Sequence, residues 1–158
     1  MGVTVRPLTA LDRHAVEEIL VASGAFSAEE VRVALQMVNE GIAQGPVNGY
    51  VLLGVEVEVV LCGYACIGST PLTLSTWHVY WICVHPDAQG RGVGRALQAH
   101  IEEYVRSRGG ERLVVETSGR LDYQRSRQFY EAAGFRMSGR IRDYYKPGDD
   151  CVWYYKVL

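Results

Sequence analysis

The spacing of hydrophobic residues changes along the chain between strand-like and helix-like patterns. Residues 3–7 predict a short strand. Two capping-box sequences, Thr9-Ala10-Leu11-Asp12 and Ser27-Ala28-Glu29-Glu30, each precede apolar residues at helical spacing and predict two helices. The second helix is expected to end at the Gly45-Pro46 break. Runs of β-branched and aromatic residues then predict three strands, over residues 50–55, 59–67 and 77–84, with a hairpin turn near residues 56–58.

The second half of the chain continues the alternation. An apolar stripe from Val93 to Tyr104 predicts a helix that Gly109 and Gly110 close, and residues 113–117 predict a buried strand. A helix over residues 122–133 and strands near 135–144 and 151–157 complete the pattern. The order β-α-α-β-β-β-α-β-α-β-β predicts an α/β sandwich around a mixed sheet. Parallel pairing needs a helical crossover, whereas hairpins supply antiparallel pairs.

Length and composition limit the classes of protein to which this sequence can belong. With 158 residues, 48% of them hydrophobic, the chain predicts one domain over residues 1–158. Sixteen Lys and Arg against 18 Asp and Glu give a net charge of -2, which argues against nucleic acid as a partner. Residues between Glu58 and Asp87 carry no charge, but Pro71 and several glycines split them into strands, so no membrane span is expected.

Localisation and cysteine chemistry follow from similar arguments. The first residues lack the apolar stretch of a signal peptide, so a cytoplasmic protein is expected. The cysteines fit no metal-ligand spacing and are expected to be reduced thiols, with no metal bound: Cys62, Cys66, Cys83 and Cys151.

A glycine-rich turn joins the strand over residues 77–84 to the following helix and is the candidate for anion binding. Glycines allow backbone N–H groups to approach an anion closely, and a helix N-terminus adds partial positive charge. Gly90, Gly92 and Gly94 do not form G-x-G-x-x-G, because Arg95 occupies the last position, and no Gly-Lys-Ser/Thr follows. The spacing therefore argues against a Rossmann or NTPase loop.

Two ordered motifs give the chain a resemblance to a known family. Gln89, Gly92 and Gly94 match the signature Gln/Arg-x-x-Gly-x-Gly/Ala, and the strand before it ends Val84-His85-Pro86. The later helix ends Phe129-Tyr130-Glu131-Ala132-Ala133-Gly134-Phe135, which matches Phe-Tyr-x-x-x-Gly-Phe. The sequence thus resembles the GNAT superfamily of N-acetyltransferases, and within it the bacterial ribosomal-protein-alanine acetyltransferase branch.

The resemblance implies a fold, a cosubstrate and a reaction. The implied fold is a single-domain α/β sandwich around a mixed, mostly antiparallel sheet with a central βαβ unit that binds acetyl-CoA. The implied reaction is direct transfer of the acetyl group to a primary amine of a small molecule or a peptide N-terminus. The residues implied for cofactor binding are Ile82, Cys83 and Val84 along the pantetheine arm, Gln89, Gly90, Arg91, Gly92, Val93, Gly94 and Arg95 at the pyrophosphate, and Tyr123 and Ser126.

The same resemblance implies catalytic residues. Tyr130 matches the family's acid, which protonates the departing thiolate, and Glu116 resembles the strand glutamate that serves as base in the alanine-acetyltransferase branch. This chain has two more residues than that branch between the strand and the helix, in residues 118–122. His78, Tyr80 and a water molecule remain alternatives to Glu116 as the base.

Several alternatives remain open from the sequence. A non-catalytic acyl-CoA-binding or sensing domain is the alternative function, and the acceptor is not identified. Residues 143–150 form either the acidic, aromatic entrance of a binding site for a cationic amine or a solvated turn around Pro147 and Gly148. Trp153, Tyr154 and Tyr155 belong either to the core or to a homodimer interface.

Overall fold

A computed structural model describes residues 2–158, apart from the side chains of residues 47 and 48. Its strands and α-helices follow the predicted order. Their bounds are β1 Val3–Pro7, α1 Arg13–Ala22, α2 Ala28–Asn48, β2 Val51–Val57, β3 Val60–Ser69, β4 Thr76–Val84, α3 Val93–Ser107, β5 Arg112–Ser118, α4 Gln124–Ala132, β6 Arg136–Lys146 and β7 Asp149–Val157.

The strands form a seven-stranded mixed sheet in the order β1-β2-β3-β4-β5-β7-β6. β4 and β5 pair in parallel and are joined by α3, which confirms the predicted βαβ unit. The pairs β1–β2, β2–β3, β5–β7 and β6–β7 are antiparallel. The predicted fold class, α/β with a mostly antiparallel mixed sheet, is therefore confirmed.

The chain divides into two compact units. Unit 1 contains the described residues up to Gly68 together with Val79–Tyr104, and unit 2 contains Ser69–His78 and Val105–Leu158. The boundaries fall within β3, between Gly68 and Ser69, within β4, between His78 and Val79, and within α3, between Tyr104 and Val105. That the whole chain is one domain stays a prediction.

Unit 1 is built on an aliphatic core. Helix α2 begins at the predicted capping box, where the Glu30 N–H donates to the Ser27 hydroxyl at 3.2 Å and the Ser27 N–H donates to the Glu30 carboxylate at 2.6 Å. The predicted break at Gly45-Pro46 is present as a kink, because Gly45 is non-helical at φ +69°, and a second helical segment continues to Asn48. One cluster of buried side chains in this core contains Leu8, Val16, Ile19, Leu20, Ala34, Leu35, Val38, Leu52, Tyr64, Cys66 and Cys83.

Unit 2 contains a polar connection between β5 and α4. The Arg127 guanidinium donates to the Ser118 carbonyl at 2.8 Å and to the Arg120 carbonyl at 2.7 Å. The chain between them forms a short 3₁₀ turn over Leu121–Tyr123 before α4 begins at Gln124. The helix predicted over residues 122–133 was therefore wrong at its start, because residues 121–123 form a 3₁₀ turn rather than α-helix.

Smaller predictions can also be checked. The β2–β3 turn lies at Glu58 and Val59, both at positive φ, rather than at residues 56–58. The four cysteines are buried free thiols, as expected. In β7, Tyr154 is buried, whereas Trp153 and Tyr155 are partly exposed.

The described residues contain neither a helix suited to span a membrane nor a cluster suited to hold a metal ion. In the described part of the chain, no helix combines the length and apolar character needed to cross a bilayer. Among residues 2–158, no group of three or more His, Cys, Asp or Glu side chains is arranged to hold a metal ion.

Candidate functional site

The glycine-rich turn of unit 1 has the backbone geometry of an anion-binding loop. Gly90 and Gly92 have φ of +75° and +79°, a region that residues with a Cβ rarely adopt. A Cβ built on either glycine would meet no atom within 4 Å. The backbone conformation therefore requires glycine here, and the space beside both glycines is open.

The start of α3 supplies the donors. Its first hydrogen bond runs from the Ala96 N–H to the Gly92 carbonyl, at 2.9 Å. The N–H groups of Val93, Gly94 and Arg95 thus belong to the first helical turn, where the helix itself offers no acceptor. Val93 is buried and fixes the helix start, whereas the side chains of Arg91 and Arg95 are exposed. The turn can hold a diphosphate through main-chain donors and two cations.

Two hydrogen bonds attach this turn to the strands of unit 1. The Gln89 side-chain amide donates to the Val84 carbonyl at 3.0 Å, and the His85 N–H donates to the Cys62 carbonyl at 2.7 Å. Gln89 thus braces the turn against the end of β4, a role that the motif alone did not reveal. Ile82 and Val84 are partly buried.

Cys83 lies in the same strand but contributes no reactive thiol. Its side chain is buried, with Sγ 4.0 Å from the Ile19 carbonyl of α1. Burial raises the pKa of the Cys83 thiol to about 11. Only the main chain of this residue is suited to contact a ligand.

An open cleft in unit 1 includes residues of the turn in its lining. Its charged and polar lining side chains include His14, Glu17, Glu18, Glu58, Asp87 and Arg91. Four carboxylates there would repel a pyrophosphate, so the cleft does not suit the anionic part of a nucleotide.

In unit 2, Tyr130 occupies an aromatic cluster. It is buried, and its ring centroid lies 5.7 Å from that of Phe129, 5.6 Å from Phe135 and 6.0 Å from Tyr154. These rings fix the direction of the phenol because they restrict its rotamers. The Phe-Tyr-x-x-x-Gly-Phe motif therefore acts as packing that orients one hydroxyl.

The other two predicted residues of α4 and its preceding turn are less enclosed. Tyr123 is partly buried, with the Arg120 guanidinium 5.8 Å from its ring centroid. Ser126 is exposed. Both remain predictions as cofactor-binding residues.

Glu116 lies on the face of β5 opposite the buried Val115 and Thr117, as the strand alternation predicts. The Glu116 side chain is 33% exposed, and its Oε1 lies 3.8 Å from Nε2 of His78. Its Oε2 lies 3.8 Å from Sγ of Cys151, a weak donor. Burial raises the pKa of the Glu116 carboxyl, and the bond from Cys151 opposes that shift. A carboxylate with a raised pKa is suited to accept a proton near neutral pH.

The two alternative bases occupy different surroundings. His78 belongs to unit 2 and adjoins Glu116, whereas Tyr80 belongs to unit 1. The Tyr80 ring packs edge to face on Tyr50, with centroids 5.4 Å apart.

Sequence reasoning missed two neighbours of Glu116. Cys151 lies on β7, and the Tyr145 hydroxyl of β6 lies 3.7 Å from its Sγ. Burial raises the pKa of Tyr145 above its usual range. These residues are 35 and 29 positions from Glu116, so only the strand register brings them together.

Comparison with known proteins decides the family. A profile of the acetyltransferase (GNAT) family matches residues 14–135. The chain belongs to this family. A crystal structure of a GNAT-family protein from Desulfovibrio desulfuricans is 37% identical, covers 99% of both chains and superposes with a TM-score of 0.93.

Two curated relatives match parts of this GNAT chain. The N-alpha-acetyltransferase RimI of Mycobacterium tuberculosis is 36% identical over 104 residues, 64% of the chain. The mycothiol acetyltransferase of Beutenbergia cavernae is 39% identical over 61 residues, 39% of the chain. The chain spans 60% and 20% of the lengths of these two proteins.

The acidic residues of the GNAT chain's β6–β7 hairpin mostly bond within unit 2. Residues 143–148 are exposed, whereas Asp149 is buried and accepts a hydrogen bond from the Ser118 hydroxyl, so Asp149 itself does not belong to a solvated turn. Asp150 accepts from Arg140 at 2.6 Å, and Asp143 accepts from the Gly148 N–H at 2.8 Å. These contacts hold the hairpin in place.

Proposed function

We propose that this protein is an N-acetyltransferase that transfers the acetyl group of acetyl-CoA to a primary amine. The observation that carries the proposal is the turn at Gly90 and Gly92, which combines positive φ, open space and the first-turn donors of α3. Membership of the acetyltransferase family supports the same reaction.

The residues of unit 1 fit the chemistry of coenzyme A. Its diphosphate needs several N–H donors and positive charge, which the segment from Gln89 to Arg95 offers. Its pantetheine arm is peptide-like and pairs with main-chain groups, for which Ile82, Cys83 and Val84 are the candidates. Tyr123 and Ser126 are the candidates in unit 2. Acetyl-CoA supplies an activated thioester to the reaction.

Tyr130 is the proposed acid. A phenol with a pKa of about 10 donating to a thiolate whose acid has a pKa of about 8.5 faces a cost of roughly 2 kcal/mol. A hydroxyl that is already oriented lowers this cost, and the rings around Tyr130 provide that orientation. The proton then reaches the sulfur as the carbon–sulfur bond breaks.

Glu116 is the proposed base, which removes a proton from the acceptor amine. Its partly buried carboxylate and the direction of its pKa shift support this role. A peptide α-amine, with a pKa near 7.7–8.0, needs less help from a base than a lysine near 10.4. The name of the mycobacterial relative, an N-alpha-acetyltransferase, favours the same class of acceptor, so we propose a peptide N-terminus ahead of other amines.

The proposal is tested by calorimetric titration of the purified protein with acetyl-CoA. Thiol release is then measured with N-terminal peptides, amino acids, polyamines and aminoglycosides as acceptors. Micromolar binding with turnover on peptides is the expected result. Binding without turnover on any amine would favour the acyl-CoA sensor instead, and no binding would overturn the proposal.

A further inference from the structure

Strand pairing brings His78 and Glu116 together in unit 2. β4 and β5 are parallel neighbours, and in their register His78 lies opposite Val114. Glu116 lies two residues further along β5, on the same face as Val114 because strand side chains alternate. The resulting separation of His78 Nε2 and Glu116 Oε1 is 3.8 Å. This separation lies within ion-pair range and is longer than a hydrogen bond.

The surroundings of the pair are mostly neutral. The titratable groups that face Glu116 are His78 from β4 and Cys151 from β7, and Tyr145 from β6 contacts Cys151. Trp153 of β7 packs edge to face on the His78 imidazole, with centroids 5.9 Å apart. Tyr144 beside Tyr145 and Asp149 near Cys151 act on these groups from further away. Of these groups, His78 is the one that becomes positively charged when it binds a proton.

We propose that His78 and Glu116 work as one base that holds a single shared proton, with His78 as a positioning residue that acts through Glu116. The use of this pair in catalysis rests on the proposed function. As the amine nitrogen bonds to the acetyl carbon, its N–H bond breaks and the proton moves to Glu116, where the imidazole Nε2 shares it. The carbon–sulfur bond breaks, and the thiolate takes its proton from Tyr130.

Burial favours sharing between these two groups. It raises the pKa of Glu116 and lowers the pKa of His78, so the two groups approach one another in basicity. Groups with similar pKa values at this separation titrate as a coupled pair. Opposite charges this close favour each other's charged form, so the ionisation of either group depends on the charge of the other.

The coupling itself is tested without any acceptor. The imidazole signals are followed by NMR as a function of pH in the wild type and in Glu116→Gln, with His78→Asn used to assign the signal. Loss of the carboxylate charge is expected to lower the His78 pKa by about one unit. Glu18→Gln is the matched control, because it removes a carboxylate 3.3 Å from another histidine, His14. It should leave the His78 signal unchanged.

An identical His78 titration in the wild type and in Glu116→Gln would overturn the proposal. Because this measurement needs no turnover, it separates failure of the coupling from failure of the proposed activity. An unchanged amide spectrum in Glu116→Gln shows that the variant is folded.

The catalytic use of the pair is tested by the pH profile of kcat/KM. The acceptor is the amine that gives thiol release in the assay described above. Either single variant, His78→Asn or Glu116→Gln, should move the acidic limb to lower pH by about one unit, because one of two proton sites is lost. The double variant should lose this limb. An unshifted limb in His78→Asn would show that Glu116 acts alone and that His78 only packs.

Discussion

The two units differ in how they present polar groups. In unit 1 the candidate site is made of main chain, with positive-φ glycines and the first turn of α3, over an aliphatic core. In unit 2 the candidate site is made of side chains, where Glu116, His78 and Tyr130 are each partly or fully buried.

This difference predicts different sensitivities to mutation. A main-chain site depends on backbone conformation and tolerates most side-chain changes except at its glycines. A side-chain site loses function when one group is replaced, even where packing is preserved. Isosteric substitutions should therefore damage unit 2 and leave the binding function of unit 1 intact.

The largest effect is expected for Tyr130→Phe. The phenyl ring preserves the packing against Phe129 and Phe135, so only the hydroxyl is lost. We expect kcat to fall about 100-fold with unchanged affinity for acetyl-CoA, because a general acid acts in the transition state. Tyr154→Phe is the control, since Tyr154 is equally buried and its hydroxyl donates to Glu131 at 3.2 Å. Full kcat in Tyr130→Phe across alkaline pH would exclude Tyr130 as the acid.

The second-largest effect is expected for Gly92→Glu, which alters the main-chain site of unit 1. The substitution places a carboxylate beside the diphosphate position and forces a residue with a Cβ to φ +79°. We expect affinity for acetyl-CoA, measured by calorimetry, to fall about 50-fold, which is about 2.3 kcal/mol. Gly109→Glu carries the same backbone strain, at φ +78°, just beyond the other end of α3. Equal loss of affinity in both variants would show that strain alone is responsible.

The same difference between the units explains which features could be predicted from the sequence. The order of elements and the glycine-rich turn follow from local patterns, namely apolar spacing, capping boxes and glycines at fixed intervals. Gln89, Gly92 and Gly94 lie within six residues, so their geometry is largely determined by neighbours along the chain. The position of the turn between β4 and α3 was therefore predicted correctly.

The surroundings of Glu116 could not be predicted in the same way. His78 and Cys151 approach Glu116 from two other strands, and Tyr145 contacts Cys151 from a third, through a register that depends on packing of the whole sheet. Asp149 likewise bonds to Ser118 from 31 residues away, so composition alone suggested solvent exposure. Local sequence named Glu116 and His78 as rivals because it could not show that they are neighbours.

A smaller effect, on stability, is expected at the rim of unit 1. Asp12 accepts two hydrogen bonds from the Arg6 guanidinium, at 2.8 and 2.9 Å, and one from the Thr9 N–H at 2.7 Å. The Arg6 bonds, the largest cause, lower the pKa of Asp12 to about 2. Because the folded-state pKa lies below that of the unfolded chain, the carboxylate contributes about 2 kcal/mol above pH 4, and this is lost as the pH falls towards 2.

Asp12→Asn should therefore destabilise the protein at pH 7 by about 2 kcal/mol, with a smaller difference from the wild type at pH 3. Urea unfolding at both pH values measures this. Glu29→Gln, in the exposed pair with Arg32, should change stability little at either pH. A wild-type advantage that stays constant with pH would mean that Asp12 stabilises the fold by packing rather than by charge.

The smallest effect, a loss of stability, is expected for Ser118→Ala in unit 2, where Ser118 and Asp149 form a buried polar pair. The Ser118 hydroxyl donates to the buried carboxylate of Asp149 and also accepts the Arg120 N–H at 3.1 Å, so it links β5, the following turn and the β6–β7 hairpin. Ser118→Ala leaves Asp149 with the Arg120 guanidinium, whose Nη1 lies 3.7 Å away. We expect a loss of about 1.5 kcal/mol in urea unfolding, the lower end for a hydrogen bond to a charged group. Ser138→Ala removes an exposed hydroxyl from β6 and should cost little. Equal stabilities of the two variants would show that the buried carboxylate does not depend on Ser118, and that this connection is held by Arg127 and the backbone alone.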